Sequence, residues 1–332
     1  MTPTLPAVIA ATVACGVGCQ QWAEHLDRRR LPAPGQILKV ECEELHVTIE
    51  GSGPAVLIDS GLGGSSIEWG PVARELSRDF TVIRYDRPGF AWSPASTRDR
   101  TPLRVAQRIG SLLGLLGIDE PVIFVGHSLG GLHVLVTAAL YPHLVSGLVL
   151  VDPSHQEMLD ALSQAERRSA TIVGRVLKGA GALAPVGVGR LAGRVFARLG
   201  AGEIRQPLDA EQRQLKRQTE LLTLRTGHGL RATAAEMLAL PDSLREVTEI
   251  LQNHPLPKVP LTVITASAPG RTPRETEARR TIGVLHGQHV TSTPIGRQVA
   301  AERSGHIVPL DQPEVIVSCV RETASAALAG AW

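Results

Sequence analysis

Aromatic residues are scarce in this chain, with four Phe, four Trp and two Tyr among 332 residues. Its core must therefore be built from aliphatic side chains. Cysteine is also rare. Cys15, Cys19, Cys42 and Cys319 form no CxxC pair, which argues against a disulfide framework. Cys42 and Cys319 read instead as small buried hydrophobes. There is no excess of either charge: 34 Lys and Arg oppose 32 Asp and Glu. That balance argues against a nucleic-acid partner held by bulk electrostatics. No internal repeat is visible. What remains is an apolar fraction of 43% and a mean hydropathy of +0.06, the composition of a globular chain with a sizeable core. The length suits one large α/β domain with an insertion, or two small domains.

Charge is locally absent at the amino end. No charged side chain occurs from Thr2 to Ala23, and Leu5 to Cys19 is continuously small or apolar. A spanning helix needs about 17–25 residues, so this run is of borderline length. A secretory signal should open with positive charge and end in a small-x-small cleavage site, and neither is evident here. Residues 1–35 are therefore expected to form a membrane anchor and a linker (Pro32-Ala33-Pro34-Gly35). Arg28, Arg29 and Arg30 would then hold the following domain on the cytoplasmic side. The alternative is a helix docked on the domain surface.

Beyond the linker, Ile37 to Cys42 and Leu45 to Glu50 read as a hairpin turning at Glu43-Glu44. Short apolar runs follow at Ala55–Asp59, Phe80–Tyr85, Val122–Val125, Gly147–Val151, Leu261–Thr265 and His289–Thr293. Helical patterns separate them at Val72–Leu76, Leu103–Leu116, Gly131–Leu140 and Pro313–Leu328. This alternation predicts a mostly parallel sheet of about eight strands with helices on both faces. The alternation stops at Asp152 and resumes near Pro260. Between them, Ser163-x-x-Glu166 is a capping box, Asp209-x-x-Gln212 opens another helix with Leu215 and Leu222 on one face, and a third helix, Ala232 to Leu240, should stop at Pro241. A helical insertion returning to the same sheet reads as a lid. The expected division is 36–153 and 258–332 for the core and 154–257 for the lid.

Gly126-His127-Ser128-Leu129-Gly130-Gly131 joins a buried strand to an apolar helix. Gly-x-Ser-x-Gly in that setting is a nucleophile elbow. Glycines leave room where the backbone folds sharply on itself, and the serine stands exposed at the apex. Three further motifs follow the same order along the chain. They are Ser60-Gly61-Leu62-Gly63-Gly64 after the third strand, Tyr85-Asp86-Arg87-Pro88-Gly89-Phe90-Ala91-Trp92-Ser93, and Ser304-Gly305-His306 followed by Asp311-Gln312-Pro313-Glu314.

With these four motifs the chain resembles the α/β-hydrolase superfamily from about Gln36 to the end. Ser60–Gly64 is similar to its oxyanion loop. Residues 86–93 are similar to its Asp-x-x-Gly-x-Gly-x-Ser loop, with Ala91 replacing the second glycine, and residues 304–306 are similar to its catalytic-histidine loop. The apolar amino end and Arg run also resemble a membrane-tethered bacterial subgroup.

A serine hydroxyl needs a base within hydrogen-bond reach to act as a nucleophile. Ser128 is the candidate nucleophile and His306 the candidate base. His127 and His133 flank the elbow and are expected to point elsewhere, with His127 a packing residue. The base needs a carboxylate to orient it. The usual loop, here Ala266-Ser267-Ala268-Pro269-Gly270, has no acid. Asp152, at the end of the strand after the elbow helix, is favoured because a strand end is rigid. Glu275 and Glu277 are the alternatives. Asp86 and Arg87 are expected to fix their own loop. The backbone N–H groups of Leu62 and Leu129 are the expected oxyanion donors.

The expected activity is that of a serine esterase or lipase-like enzyme. It would act on a small apolar acyl substrate through an acyl-enzyme, with no metal and no organic cofactor. Peptide or carbon–carbon bond hydrolysis, or a catalytically inactive binding protein, are the alternatives. Within the lid, Arg190, Arg194 and Arg198 recur beside Leu191, Val195 and Leu199. That is the composition of a membrane-surface helix, or of a solvated charged face.

Overall fold

The computed structural model describes residues 4–161, 163–200 and 204–330, without the side chains of 5–13, 161, 199 and 200. The chain opens with helix α1 (Leu5–Arg30), followed by β1 (Gln36–Val40), β2 (Glu43–Glu50), β3 (Ala55–Asp59), α2 (Gly70–Leu76), β4 (Thr81–Tyr85), α3 (Pro102–Leu115), β5 (Val122–His127), α4 (Leu129–Leu140) and β6 (Val145–Val151). An insertion follows, built from α5 (Met158–Ala161), α6 (Gln164–Ala182), α7 (Val188–Gly200), α8 (Ala210–Thr219) and α9 (Gly227–Asn253). The sheet then resumes with β7 (Leu261–Ala266), α10 (Pro273–Val290), β8 (Gly296–Ala301), α11 (Val308–Asp311) and α12 (Pro313–Leu328).

Among the described residues the eight strands form one sheet in the order β1-β2-β4-β3-β5-β6-β7-β8. The β1–β2 and β2–β4 pairs are antiparallel, and every pair from β3 to β8 is parallel. Strands β3, β5 and β7 are buried at every residue. This explains why they read as unbroken apolar runs: helices cover both faces of a parallel sheet. One face packs under α3, α4 and α9, through Ile109, Leu112, Leu135 and Leu244. The other packs under α2 and α12, through Val72, Leu76, Ile316 and Val320. Trp69, Tyr85, Phe90 and Phe124 are buried amid this aliphatic packing. All parallel strands therefore end at one edge, where loops can meet.

Several boundaries differ from expectation. The hairpin turns at Glu41-Cys42, since Val40 pairs with Glu43. Glu43 is a buried strand residue paired with Arg108, so a neutralised carboxylate had read as a turn. Cys42 lies in that turn and is exposed, while Cys319 is buried. Helix α9 runs through Pro241 to Asn253. His289 and Val290 close helix α10, and the last strand is Gly296–Ala301. That strand is a partly exposed sheet edge carrying Arg297 and Gln298, so no apolar run announces it. The expected capping box forms at Ser163/Glu166, and a second one opens the helix at Asp209/Gln212.

The expected anchor is overturned. No helix among the described residues is long and apolar enough to cross a membrane. Residues 2 and 3 of the expected segment lie outside the described residues. Most of Leu5–Cys19 is Ala, Gly, Val and Thr, which bring little apolar area per residue, and the helix continues into Gln20, Gln21 and Glu24. The expected placement on the cytoplasmic side falls with the anchor. Helix α1 instead docks on the insertion. A Cβ on Gly16 would lie 2.8 Å from the Val186 carbonyl oxygen. The Gln20 amide donates to the Arg225 carbonyl at 3.4 Å, and Arg190 pairs with Asp27 at 2.7 Å. In α7, Leu191 and Val195 are exposed while Phe196 and Ala197 turn toward the core. The Leu199 side chain lies outside the described residues.

Candidate active site

The elbow turns between β5 and α4. Ser128 adopts φ 52° and ψ −118°, a strained conformation that L-residues avoid and that surrounding contacts must impose. A Cβ on Gly126 would sit 2.4 Å from the Gly130 carbonyl oxygen, and one on Gly130 2.5 Å from that of Asp59. Neither position admits a side chain. The Ser128 N–H donates to the Val151 carbonyl, and the Ser128 carbonyl accepts from Gly131 and Ser154. The turn is thus fastened to the end of β6.

The same strand end carries Asp152, also at positive φ (41°). Its N–H donates to the Ile264 carbonyl on β7. Its carboxylate accepts from the Ala266 N–H at 2.9 Å through Oδ1 and contacts His306 Nδ1 at 2.6 Å through Oδ2. His306 Nε2 lies 3.0 Å from Ser128 Oγ. Burial raises the Asp152 pKa, but the hydrogen bonds from His306 and from the Ala266 N–H help to hold it below the ordinary value. An ionised carboxylate only accepts. His306 therefore carries its proton on Nδ1 and presents the Nε2 lone pair to Ser128. Asp311 fixes this loop by accepting from the Gly305 N–H at 2.8 Å.

Glu275 and Glu277 are engaged elsewhere. Glu275 pairs with Arg205 and Arg279 and accepts from the Arg271 N–H, while Glu277 is exposed and paired with Arg280. His127 does more than pack. It lines the pocket beside Ser128, and its Nε2 donates to the His306 carbonyl at 2.7 Å. Burial, reinforced by His306, pushes its pKa down to about 3 and keeps it neutral. His133 turns away to Asp59, at 2.7 Å.

Leu62 and Leu129 stand on either side of the serine. The Ser60 and Gly61 carbonyls both accept from Arg87. Across a trans peptide the C=O and N–H point in opposite directions, so the Leu62 N–H is directed away from Arg87. Arg87 is buried and holds Asp59 at 2.8 Å and Glu236 at 2.8 Å. Asp86 accepts from Ser66 and His46. Asp86 and Arg87, expected to fix their own loop, instead reach outside it with their side chains, to the Ser60–Ser66 segment, to β2 and β3, and to the insertion through Glu236.

Ser128 and His306 open onto a cavity of about 450 Å³. Its lining combines apolar side chains, Phe196, Leu224, Met237, Ile307 and Leu310, with polar ones, Glu68, Lys216, Thr219 and Glu220. Burial pushes the Glu68 carboxyl up to about 7, Lys216 pulling it down and Asp86 adding to the rise. Sequence reasoning missed Glu68, Lys216 and Glu236. Glu68 and Glu236 are isolated charges among apolar residues and Lys216 is one of several charges on a polar helix, and the one available signal was that a buried Arg87 would need counter-charges. No group of three or more potential metal-ligating side chains occurs among the described residues.

A doubly covered parallel sheet with a serine elbow at its carboxyl edge defines a hydrolase class, and residues 54–230 match the alpha/beta hydrolase fold family. The chain belongs to that family. It is 38% identical over 110 residues to the protein named "Putative carbamate hydrolase RutD" from Pseudomonas savastanoi pv. phaseolicola, spanning 33% of this chain and 42% of that protein. The match thus covers less than half of that relative's length. Among solved structures, a thermophilic esterase from Thermogutta terrifontis superposes with a TM-score of 0.63 at 21% identity, covering 90% of this chain and 96% of the other. An enol-lactonase from Burkholderia xenovorans LB400 gives 0.60 at 18% identity, covering 87% and 100%. At such identities these two likenesses concern the fold.

Proposed function

We propose that this hydrolase cleaves a carboxylic ester or a related acyl compound through an acyl-enzyme on Ser128. The observation that carries the reading is the continuous chain from Ser128 Oγ through His306 to Asp152, with contacts of 3.0 and 2.6 Å, at the mouth of a cavity. His306 Nε2 takes the Ser128 proton as Oγ bonds to the carbonyl carbon. The imidazolium so formed is stabilised by the Asp152 carboxylate. The oxyanion is held by the Leu62 and Leu129 N–H groups, each worth about 3–4 kcal/mol in acyl transfer. His306 returns the proton to the departing oxygen, and the acyl-enzyme remains. Water, deprotonated by the same nitrogen, then attacks it and releases the acid and Ser128. The apolar lining of Phe196, Leu224 and Met237 suits the hydrocarbon part of the acyl group.

A fluorophosphonate probe tests the nucleophile. Wild-type protein should be labelled covalently, and Ser128→Ala should not. A folded wild type that resists labelling would instead favour a binding protein. An ester panel graded in acyl length, with carbamates included because of the relative's name, then ranks substrates by kcat/KM.

A further inference from the structure

Beside the catalytic cavity lies a second opening. Lys216 and Glu220 also line this open cleft of about 800 Å³, whose other charged walls are Arg194 from α7, Arg213 and Arg217 from α8, and Arg225. Five cations therefore face one carboxylate. That carboxylate is fully engaged: Glu220 accepts from Lys216 at 2.7 Å and from Arg225 at 3.3 Å. The cations also crowd one another. Burial lowers the Arg225 pKa, and Arg194 and Arg190 lower it further against the pull of Glu220. Two buried donor atoms, Arg225 Nε and Arg190 Nη1, have no hydrogen-bond partner. On the facing helix, Asp27 is already paired with Arg190, and Arg30 adds a further cation to the adjoining groove. Like charges held together with too little counter-charge gain strongly from a bound anion.

We propose that the substrate of the Ser128 site is an anionic acyl compound, its scissile carbonyl at Ser128 and a carboxylate or phosphate group seated among Arg194, Arg217 and Arg225. The inference rests on the hydrolase reading for the chemistry, and on the basic cleft alone for the charge. Lys216 and Glu220 border both the cavity and the cleft, so a ligand that displaces this ion pair would reach from Ser128 to the arginines. Lys216 can exchange its Glu220 partner for the incoming anion, and Glu220 stays held by Arg225.

The test compares two chromogenic esters of equal length, one ending in a carboxylate and the other in a methyl group, with the full-length protein. Expected is a preference of at least tenfold in kcat/KM for the anionic ester at low ionic strength, falling steadily as sodium chloride is raised. The double variant Arg194→Gln/Arg217→Gln should collapse that ratio about tenfold, mainly through KM. Equal or better turnover of the neutral ester at low salt would overturn the inference. A variant that lowers both esters in the same proportion would overturn it too. Calorimetric titration of wild-type protein with the free dicarboxylate separates this inference from the hydrolase reading. Binding lost in the double variant supports the anion site even if fluorophosphonate fails to label Ser128. Labelling without any dicarboxylate binding leaves a hydrolase and sinks the anionic substrate. Co-sedimentation with phosphatidylglycerol vesicles, without a preference for the soluble anionic ester, would reassign the cleft to a lipid surface.

Discussion

Replacing Asp152 by Asn changes one atom and removes one charge. The Asn side chain can still accept from the Ala266 N–H, now 2.9 Å from Asp152 Oδ1. Its amide nitrogen, however, would face His306 Nδ1 at the place where a carboxylate oxygen lies 2.6 Å away. Two donors cannot share that contact, so His306 moves its proton to Nε2. The atom 3.0 Å from Ser128 Oγ then donates instead of accepting, and the serine loses its base. The lost charge matters in the transition state as well. Unit charges 2.6 Å apart attract by about 6 kcal/mol at an effective dielectric constant of 20. Such a loss lowers the rate by roughly four powers of ten, similar to the tautomer effect in serine proteases of unrelated fold.

Stability should hardly change, because Asn leaves no uncompensated charge behind. The assay is kcat on a chromogenic ester at pH 8, with thermal unfolding as the check on folding. Expected is a loss of about 10⁴ in kcat with Tm within a few degrees of wild type. A loss smaller than tenfold would refute the reasoning. So would an equal loss in Glu275→Gln, whose carboxylate serves Arg205 and Arg279.

Four other perturbations follow from the same contacts. Gly130→Ala would press a Cβ to 2.5 Å from the Asp59 carbonyl oxygen and 2.7 Å from that of Ser60. Both are backbone atoms, so about 3 kcal/mol or more of stability should be lost, read from urea unfolding. Arg87→Gln removes the charged partner that buried Asp59 and Glu236 share, leaving Asp59 with His133 and Glu236 with the Gly63 N–H and Arg100, at a cost of about 3 kcal/mol. Restoring stability to within 1 kcal/mol of wild type by adding Glu236→Gln and Asp59→Asn would support that cause. Glu68 has its carboxyl raised to about 7, so the folded state holds its proton where the unfolded chain releases it. Stability is lost as pH rises from about 4.5 to about 7, and Glu68→Gln should add up to about 3 kcal/mol at pH 8 and almost nothing at pH 4.5. Burial pushes His127 and His289 down to about 3 and His155 and His228 down to about 4. The folded state refuses these protons, so their contribution is present above about pH 6.5 and falls below it, by up to about 2 kcal/mol each at pH 5. A flat unfolding free energy between pH 7.5 and 5 would contradict this.

The sequence was most legible where local sterics decide the structure. The elbow, the Ser60–Gly64 loop and the His306 loop carry glycines or motif residues that a tight backbone turn requires, and β3 to β7 are apolar because both their faces are covered. It was least legible where a tertiary partner decides. Glu43 looks like a turn residue until Arg108 neutralises it. Strand β8 is an edge strand with Arg297 and Gln298 outward, so its pattern is weaker than that of the helix end preceding it. The place of the acid is a similar case. Proximity of Asp152 to His306 depends on β6 lying beside β7 and β7 beside β8, a fact of sheet order that spacing along the chain does not carry. The amino-terminal helix failed for another reason. A lack of charge is not the same as apolar bulk, and a run of Ala, Gly and Thr supplies the first without the second.

Arg87 shows how the fold couples these parts. Its guanidinium holds Asp59 at the end of β3, two carbonyls of the Ser60–Gly61 turn, and Glu236 on α9. Glu236 in turn accepts from the Gly63 N–H at 3.4 Å. The Ser60–Gly64 loop is therefore clamped from the core side and from the insertion at once. Any shift of α9 would move Glu236 and disturb the peptide that orients the Leu62 N–H. Substitutions in the insertion far from Ser128 should thus act on kcat as well as on KM. Glu236→Gln is the sharpest case: it keeps the shape of the clamp and removes a charge. It should lower kcat while fluorophosphonate still labels Ser128, because the Ser128–His306–Asp152 contacts do not pass through Glu236. An insertion serving only to shape the pocket would change KM alone.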